Sequence, residues 1–318
     1  MSRDVINCPK CERATPVARA TCLYCGEPLP VTEIETAPPQ RNIENSELAF
    51  NTVLEPSQTP AGEQAVSALA EALTIELDEA RVFINAAKRL PIARSQTRQE
   101  ADLIAALIRT CGLSATVVPD QELELEFELK RARRITRAGD EFQFHHSGGV
   151  MTLACAEIKL LVLGVLKNIR VDYTEGMPGL RGRSGKVLDA TEFRAEETLL
   201  DIYTTDLEKS FRIRADAFDY SGLVEPMSYR AEMNFRAALS ELSGAASSAE
   251  FDEDFARMRG LLSHAWPERS RVEARGLRRA GFARRPVARS SILSDNRDQF
   301  DRYSRLTFLS INAQESTR

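Results

Sequence analysis

The chain has 318 residues, 43% of them apolar, and a formal net charge of −5. That length admits two or three domains with ordinary cores, and that charge excludes a global electrostatic pull toward nucleic acid or acidic membranes. No run of eighteen apolar residues occurs, so no transmembrane helix is expected. No leader pattern is read at the first residues, and the expected location is the cytoplasm.

The first stretch that specifies a chemistry is Cys8-Pro9-Lys10-Cys11, followed after ten residues by Cys22-Leu23-Tyr24-Cys25-Gly26. Two CxxC pairs at this spacing can point four thiolates at one ion. A closed tetrahedral shell leaves no position for water, so such a site is structural. The segment is too short to bury a core, and a metal would hold it folded. The prediction is one structural Zn2+ on Cys8, Cys11, Cys22 and Cys25. Two disulfides are the alternative in an oxidising compartment; a redox CxxC would need a strand–helix setting that is absent. Cys111 and Cys155 lie in apolar patterns and read as core thiols.

The pattern CPxC, Ala20, CxxCG and then Leu29 resembles the short zinc-ribbon modules of bacterial proteins, although Glu12 and Thr21 depart from it. The chain as a whole resembles bacterial zinc-ribbon proteins. The resemblance covers residues 1–30 and implies a metal-stapled contact surface without an activity of its own.

Residues 31–63 hold Pro38, Pro39, Pro56 and Pro60 among polar residues and read as a flexible linker. Residues 64–119 then form a small α/β unit. Val66, Leu69, Ala70 and Leu73 recur with helical period, and Leu77, Ala80, Ile84 and Ala87 repeat it. Residues 90–94 predict a strand. Thr97-Arg98-Gln99-Glu100 is a capping-box sequence, opening a helix with Ala101, Ile104, Ala105 and Ile108 on one side. Gly112 ends it, and residues 114–118 predict a second strand.

This order, with Leu77, Glu79, Ala80, Arg81, Pro91, Ser95, Glu100, Ala101, Gly112, Ala115 and Val117 at matching places, resembles the C-terminal domain of the bacterial ribosomal stalk protein. The adaptor that delivers substrates to the Clp protease shares that fold. The resemblance implies a helical face that binds another protein. The stalk domain's first strand and lysine-rich helix are not found in the sequence, and a small α/β domain without a partner surface is the plain alternative.

Residues 120–246 change to a period of two. Leu123, Leu125, Phe127 and Leu129 alternate with glutamates, as a half-buried strand would. Residues 142–155 predict a hairpin around Ser147-Gly148-Gly149, and residues 158–166, 169–173, 199–203 and 211–215 predict further strands. A helix carrying Ala231, Phe235, Ala238, Leu239 and Leu242 follows. Seven strands capped by one helix resemble a pleckstrin-homology-like barrel, which implies binding of a phosphoinositide or a peptide. Lys130, Arg131, Arg133, Arg134 and Arg137 lie near the first hairpin, where lipid-binding members carry cations, but they match no lipid-binding motif residue by residue and read first as an exposed strand face. Residues 176–186 hold Gly185-Lys186 but lack the rest of a phosphate-binding GxxxxGK[ST] loop, and read as a surface loop.

Residues 247–318 begin with a helix bearing Phe255, Met258, Leu262 and Trp266, which Pro267 ends. Residues 269–289 hold eight arginines, Arg269, Arg271, Arg275, Arg278, Arg279, Arg284, Arg285 and Arg289, against the single acidic Glu273. This reads as a basic tail able to bind nucleic acid or an acidic protein face, or as a solvated tail packing on the acidic remainder. Residues 295–311 predict a last helix docking through Phe300, Tyr303, Leu306 and Phe308.

No catalytic residue is assigned. The three histidines, His145, His146 and His264, form no motif; the adjacent pair would point to opposite faces of a strand. The expected molecule is a multidomain α+β scaffold or adaptor. It carries a zinc ribbon, a small α/β domain, a seven-stranded barrel with its capping helix, and a basic tail. Its partners would be proteins, with nucleic acid as the alternative through the tail and a lipid head group as a third reading. A membrane or a small-molecule substrate is not expected.

Overall fold

The computed structural model describes residues 5–7, 10–11, 14–16, 25, 48–57, 62–176, 187–279 and 286–315. The fold is mixed α and β, with six α-helices among the described residues. It divides into two compact units, Met1–Pro38 and Pro39–Arg318. In the first unit β1 (Val5–Asn7) pairs antiparallel with β2 (Ala14–Pro16), Asn7 lying opposite Ala14. Cys11 sits half-buried in the turn between them, and Cys25 is exposed in a second turn. Cys8 and Cys22 lie outside the described residues.

The second unit opens with β3 (Phe50–Leu54), α1 (Glu63–Leu73), α2 (Leu77–Asn85), β4 (Leu90–Ser95), α3 (Arg98–Thr110) and β5 (Ala115–Pro119). The three strands form an antiparallel sheet in the order β4-β3-β5. The helical stripes are buried as expected for α1 and α3. In α2, Phe83 joins Ala80 and Ile84 in the core; Leu77 is exposed, and Ala87 lies past the helix end at φ 51°. Thr97 accepts a hydrogen bond from the Glu100 amide and starts α3; Gly112, at φ 78°, supplies the left-handed residue that follows it.

One expectation is corrected here. Residues 50–54 fall within the expected linker, yet β3 is the middle strand of this sheet. The segment is short, and buried Asn51 and Thr52 interrupt its apolar pattern. Its signal is therefore tertiary rather than periodic.

Beyond β5 come β6 (Lys130–Arg131), β7 (Arg134–Ala138), β8 (Glu141–His146), β9 (Gly149–Ala154), β10 (Leu160–Gly176), β11 (Val187–Tyr203) and β12 (Phe211–Arg214). Then follow α4 (Ala231–Ala245), β13 (Glu250–Asp252), α5 (Phe255–Leu262), β14 (Arg269–Arg279), β15 (Pro286–Asp295) and α6 (Arg297–Glu315). The large sheet runs β14-β15-β10-β11-β12-β6, with β13 parallel to the start of β10; β7, β8 and β9 form a separate sheet.

The large sheet carries a core on each face. Leu160, Val162 and Leu166 of β10, with Leu199 and Tyr203 of β11, pack with α5, α6 and the residues 53–123. The alternate residues Leu161, Leu200 and Ile202, with Phe211 and Ile213 of β12, pack with β7–β9 and α4. Gly164 faces α6, where a Cβ would overlap the Phe300 ring. That glycine lets the helix lie close on the sheet.

Three further expectations change. The alternating stretch 123–129 is not a strand. A 3-10 turn covers Asp120–Leu123, and Glu124 has φ 47°, so the chain turns where a ladder would need it extended. Leu123, Leu125 and Leu129 still pack on the core, which produces the alternation without a strand. The residues 269–279 and 286–289 are not a tail: β14 and β15 are strands of the large sheet, while residues 280–285 lie outside the described residues. Nor is the region beyond 247 an appendage, because Phe300, Tyr303, Leu306 and Phe308 are buried in the same core as β3–β5. The domain boundaries expected at 119/120 and 246/247 are thus crossed by one core, since α6 supplies apolar surface that the small α/β unit and the large sheet both need.

Candidate functional site

β10 and β11 are longer than the layers that cover them. Over residues 167–174 β10 is only half-buried, and its outer part pairs with β15, which pairs with β14. The residues 167–176 alone extend for about 33 Å. The result is a four-stranded antiparallel arm, β14-β15-β10-β11, whose outer strands are exposed over residues 269–274 and 189–196.

Residues directly opposite across such a sheet share a face. The register aligns Arg271, Leu293, Arg170 and Phe193 in one row, and Glu273, Ser291, Asp172 and Thr191 in the next row of that face. Arg170 donates two hydrogen bonds to Asp172, at 2.8 and 2.7 Å, and Ser291 Oγ donates to Asp172 Oδ1 at 2.6 Å. The bond to Asp172 raises the Arg170 pKa further above its ordinary value. The Arg170 guanidinium lies 5.6 Å from the ring centre of Phe193, which remains 53% exposed. The opposite face carries Val272, Ile292, Val171 and Glu192 in one row.

The predicted arginines divide by position. Arg269, Arg271 and Arg289 are exposed on the arm. Arg269 reaches Asp298 at 3.9 Å and Arg271 reaches Glu273 at 3.3 Å, both in solvent, where such pairs contribute little. Arg275, Arg278 and Arg279 have their backbone in β14. Arg284 and Arg285 lie outside the described residues. The structure therefore brings together a basic strand pair that the sequence presented as a run, and adds Arg170 and Phe193 from the neighbouring hairpin.

Three buried carboxylates, Asp120, Asp201 and Asp252, gather other charged groups inside the fold. Asp120 is 4% exposed and accepts from Arg94 at 2.6 Å, Arg302 at 2.6 Å, Asn51 Nδ2 at 2.8 Å and the Ala49 amide at 3.1 Å. Trp266 Nε1 donates to Asn51 Oδ1 at 2.7 Å and extends this network. Burial lowers the Arg302 pKa, with Asp120 opposing it. On the large sheet Asp201 accepts from Arg212 at 2.6 and 2.8 Å and from Ser304 of α6 at 2.6 Å. Arg212 also reaches Asp301 at 2.7 Å, and burial raises the Asp301 pKa. Asp252 accepts from Tyr303 at 2.8 Å and pairs with Lys88 at 2.5 Å. Burial raises the Tyr203 and Tyr303 pKa values, which keeps both hydroxyls protonated.

Other expected site residues are placed as follows. Lys130 donates to the Glu208 carbonyl and Arg131 to the Ala217 carbonyl at 3.4 Å. Arg134 reaches Asp219 at 3.7 Å and Arg137 reaches Glu241 at 2.6 Å. These cations touch neighbouring carboxylates or carbonyls while staying partly exposed, Arg134 at 44% and Arg137 at 37%. His146 Nδ1 accepts from the Gly148 amide at 3.1 Å. His264 contacts Glu79 and the edge of the Phe83 ring, so it joins α5's end to α2.

Among the described residues no group of three or more His, Cys, Asp or Glu is set to hold a metal; Cys8 and Cys22 are not among those residues. Among them, also, no helix is long and apolar enough to cross a membrane. In comparisons with known proteins, no family model, no curated protein and no solved structure matches this chain.

The sequence reading missed Arg170, Phe193 and the Asp120 network. Arg170 falls in a predicted strand, whereas Phe193 lies in the part of β11 (Val187–Tyr203) before the predicted strand 199–203. Asn51, Arg94, Asp120, Trp266 and Arg302 are scattered along the chain, and only the fold makes them neighbours.

Proposed function

We propose that this protein is a non-catalytic adaptor that grips nucleic acid with its four-stranded arm. The observation that carries this reading is the pairing of the arginine-rich segment into an exposed sheet. A basic strand pair held by a second hairpin presents cations at fixed spacing, and β-ribbons fit nucleic-acid grooves and backbones. The chain's net negative charge does not by itself oppose it, because local charge governs contact within a Debye length; on the Arg170 face Arg269, Arg271, Arg289 and Arg170 stand among Glu273, Asp295, Asp172 and Asp189.

In this reading Cys8, Cys11, Cys22 and Cys25 hold one Zn2+ that staples residues 1–30 and takes no part in a reaction. The β1–β2 hairpin supports it, since Cys11 lies in the turn that joins its two strands. The zinc ribbon would offer a second contact surface.

The test is fluorescence anisotropy of labelled single-stranded RNA, single-stranded DNA and duplex DNA across a salt series. Wild type should bind with a steep salt dependence. The triple variant Arg269→Gln/Arg271→Gln/Arg289→Gln should bind about tenfold or more weakly, with a shallower slope, as expected when phosphate contacts are removed. Salt-insensitive binding, or an unchanged triple variant, would overturn the reading.

A second reading is protein binding by residues 50–119. The strand β3 completes the order strand, helix, helix, strand, helix, strand, which supports a likeness to the ribosomal stalk C-terminal domain. Leu77 and Val82 of α2 are exposed there. The sheets β7–β9 and β10–β12 around one core, capped by α4, likewise support a pleckstrin-homology-like barrel. The paired state of Lys130, Arg131, Arg134 and Arg137 favours a structural over a lipid-binding use of that barrel.

A further inference from the structure

We infer that the arm's polar face binds single-stranded nucleic acid, stacking a base on Phe193 while Arg271 and its neighbours hold the phosphates. The inference rests on the nucleic-acid reading above and names its substrate class.

Three observations point to it. Phe193 is an exposed aromatic on an outer strand, on the face that its row-mates Arg170 and Arg271 share. Exposed aromatic rings beside cations are what single strands use, because every unpaired base offers a flat π-face and a phosphate nearby. Duplex bases are stacked on each other and cannot use such a ring.

The second observation is pre-organisation. Arg170 is fixed by two hydrogen bonds to Asp172, and Asp172 is fixed in turn by Ser291, which is fully buried beneath them. An arginine on open surface loses rotamer freedom when held this way. Here the ordering places a guanidinium 5.6 Å from the centre of an aromatic ring that stays 53% exposed. The pair is set before a ligand arrives, which lowers the ordering cost of binding.

The third observation is spacing. Arg271 and Phe193 are three strand intervals apart, about 14 Å, so a strand crossing the arm can place a base on the ring and a phosphate at β14. In the matching row of the opposite face the described residues Val272, Ile292, Val171 and Glu192 include neither an arginine nor an aromatic ring.

The experiment uses the full chain and three probes: an oligothymidylate, a duplex of equal length, and vesicles of anionic phospholipid. The variants are Phe193→Ala, Phe193→Tyr and, on the other face, Val272→Ala. All are exposed positions, and circular dichroism melts check that the fold is kept. Phe193→Ala should weaken oligothymidylate binding about tenfold, in the range of one lost base stack, and leave duplex binding unchanged. Phe193→Tyr should restore it, and Val272→Ala should not matter.

Equal losses on single strand and duplex, or no loss on single strand, would overturn the stacking inference while the arginine-dependent binding stands. Wild-type protein that binds neither nucleic acid would overturn both readings, and co-sedimentation with the vesicles in that case would assign the arm to a lipid surface.

Discussion

At the scale of the residue, Asp120 is the most consequential side chain in the second unit. It receives two buried guanidinium groups and two further hydrogen bonds, from β3, β4 and α6. Replacing Asp120 by Ala leaves Arg94 and Arg302 without this carboxylate in a site both occupy at about one-twentieth exposure. The expected loss is about 3–5 kcal/mol, as for breaking a buried ion pair from one side, measured by urea unfolding. Gly164 makes the complementary case. Gly164→Ala should destabilise by about 1–3 kcal/mol because the Phe300 ring must move, and an unchanged midpoint would show that α6 does not lie so close.

The Lys88–Asp252–Asp254 cluster predicts a pH dependence. Burial works against ionising Asp254, yet Lys88 and Arg257 hold its pKa below the ordinary 3.8. A carboxylate lowered in the folded state stabilises fully above its unfolded pKa. That contribution is lost as pH falls through the folded value. Thermal midpoints should therefore drop on the acid side, and Asp254→Asn should flatten that limb while lowering the neutral-pH midpoint. A variant with the wild-type acid limb would remove Asp254 from the account.

At the scale of the element, the sequence revealed helices well and several strands poorly, β3 of the small sheet and β14, β15 and the outer half of β11 in the large one. The stripes of α1 and α3 were legible because burial on one side of a helix imposes its own period. The strands β14 and β15 were hidden by composition. Arg269, Arg271 and Glu273 do alternate with Ser270, Val272 and Ala274, as a strand should, but the count of arginines suggested a tail. Stretch 123–129 failed in the opposite sense, with the right alternation and no partner strand. The arginines on β14 also suit its place at the sheet's edge, where charge discourages pairing with another chain.

The first unit gives the element-scale prediction. Protein purified without chelator should carry stoichiometric zinc, and Cys8→Ser/Cys22→Ser should carry none. The variant should keep the main unfolding transition of Pro39–Arg318, because that unit has its own core. A zinc-free wild type would remove the metal reading, and a lowered main transition would show that the ribbon supports the larger core.

At the scale of the whole second unit, one sheet divides two cores and α6 belongs to the first of them. The sequence identified its docking residues Phe300, Tyr303, Leu306 and Phe308, but not what they dock against, since pattern reports burial without naming the neighbour. The polar residues of α6 say more. Arg302 reaches Asp120, Ser304 reaches Asp201 and Tyr303 reaches Asp252. Three distant stretches of chain thus meet on one helix.

That meeting constrains the order in which the molecule can be made. Asn51 and Trp266 are 215 residues apart, and Asp120 and Arg302 are 182 apart. Closing such loops must precede the contacts that reward it, which slows folding. During synthesis, residues 48–120 emerge long before α6, whose Arg302 joins Arg94 on Asp120 only when the last helix follows. The early strands should therefore stay open, with their apolar faces exposed to association, for most of the time the ribosome takes to translate the chain.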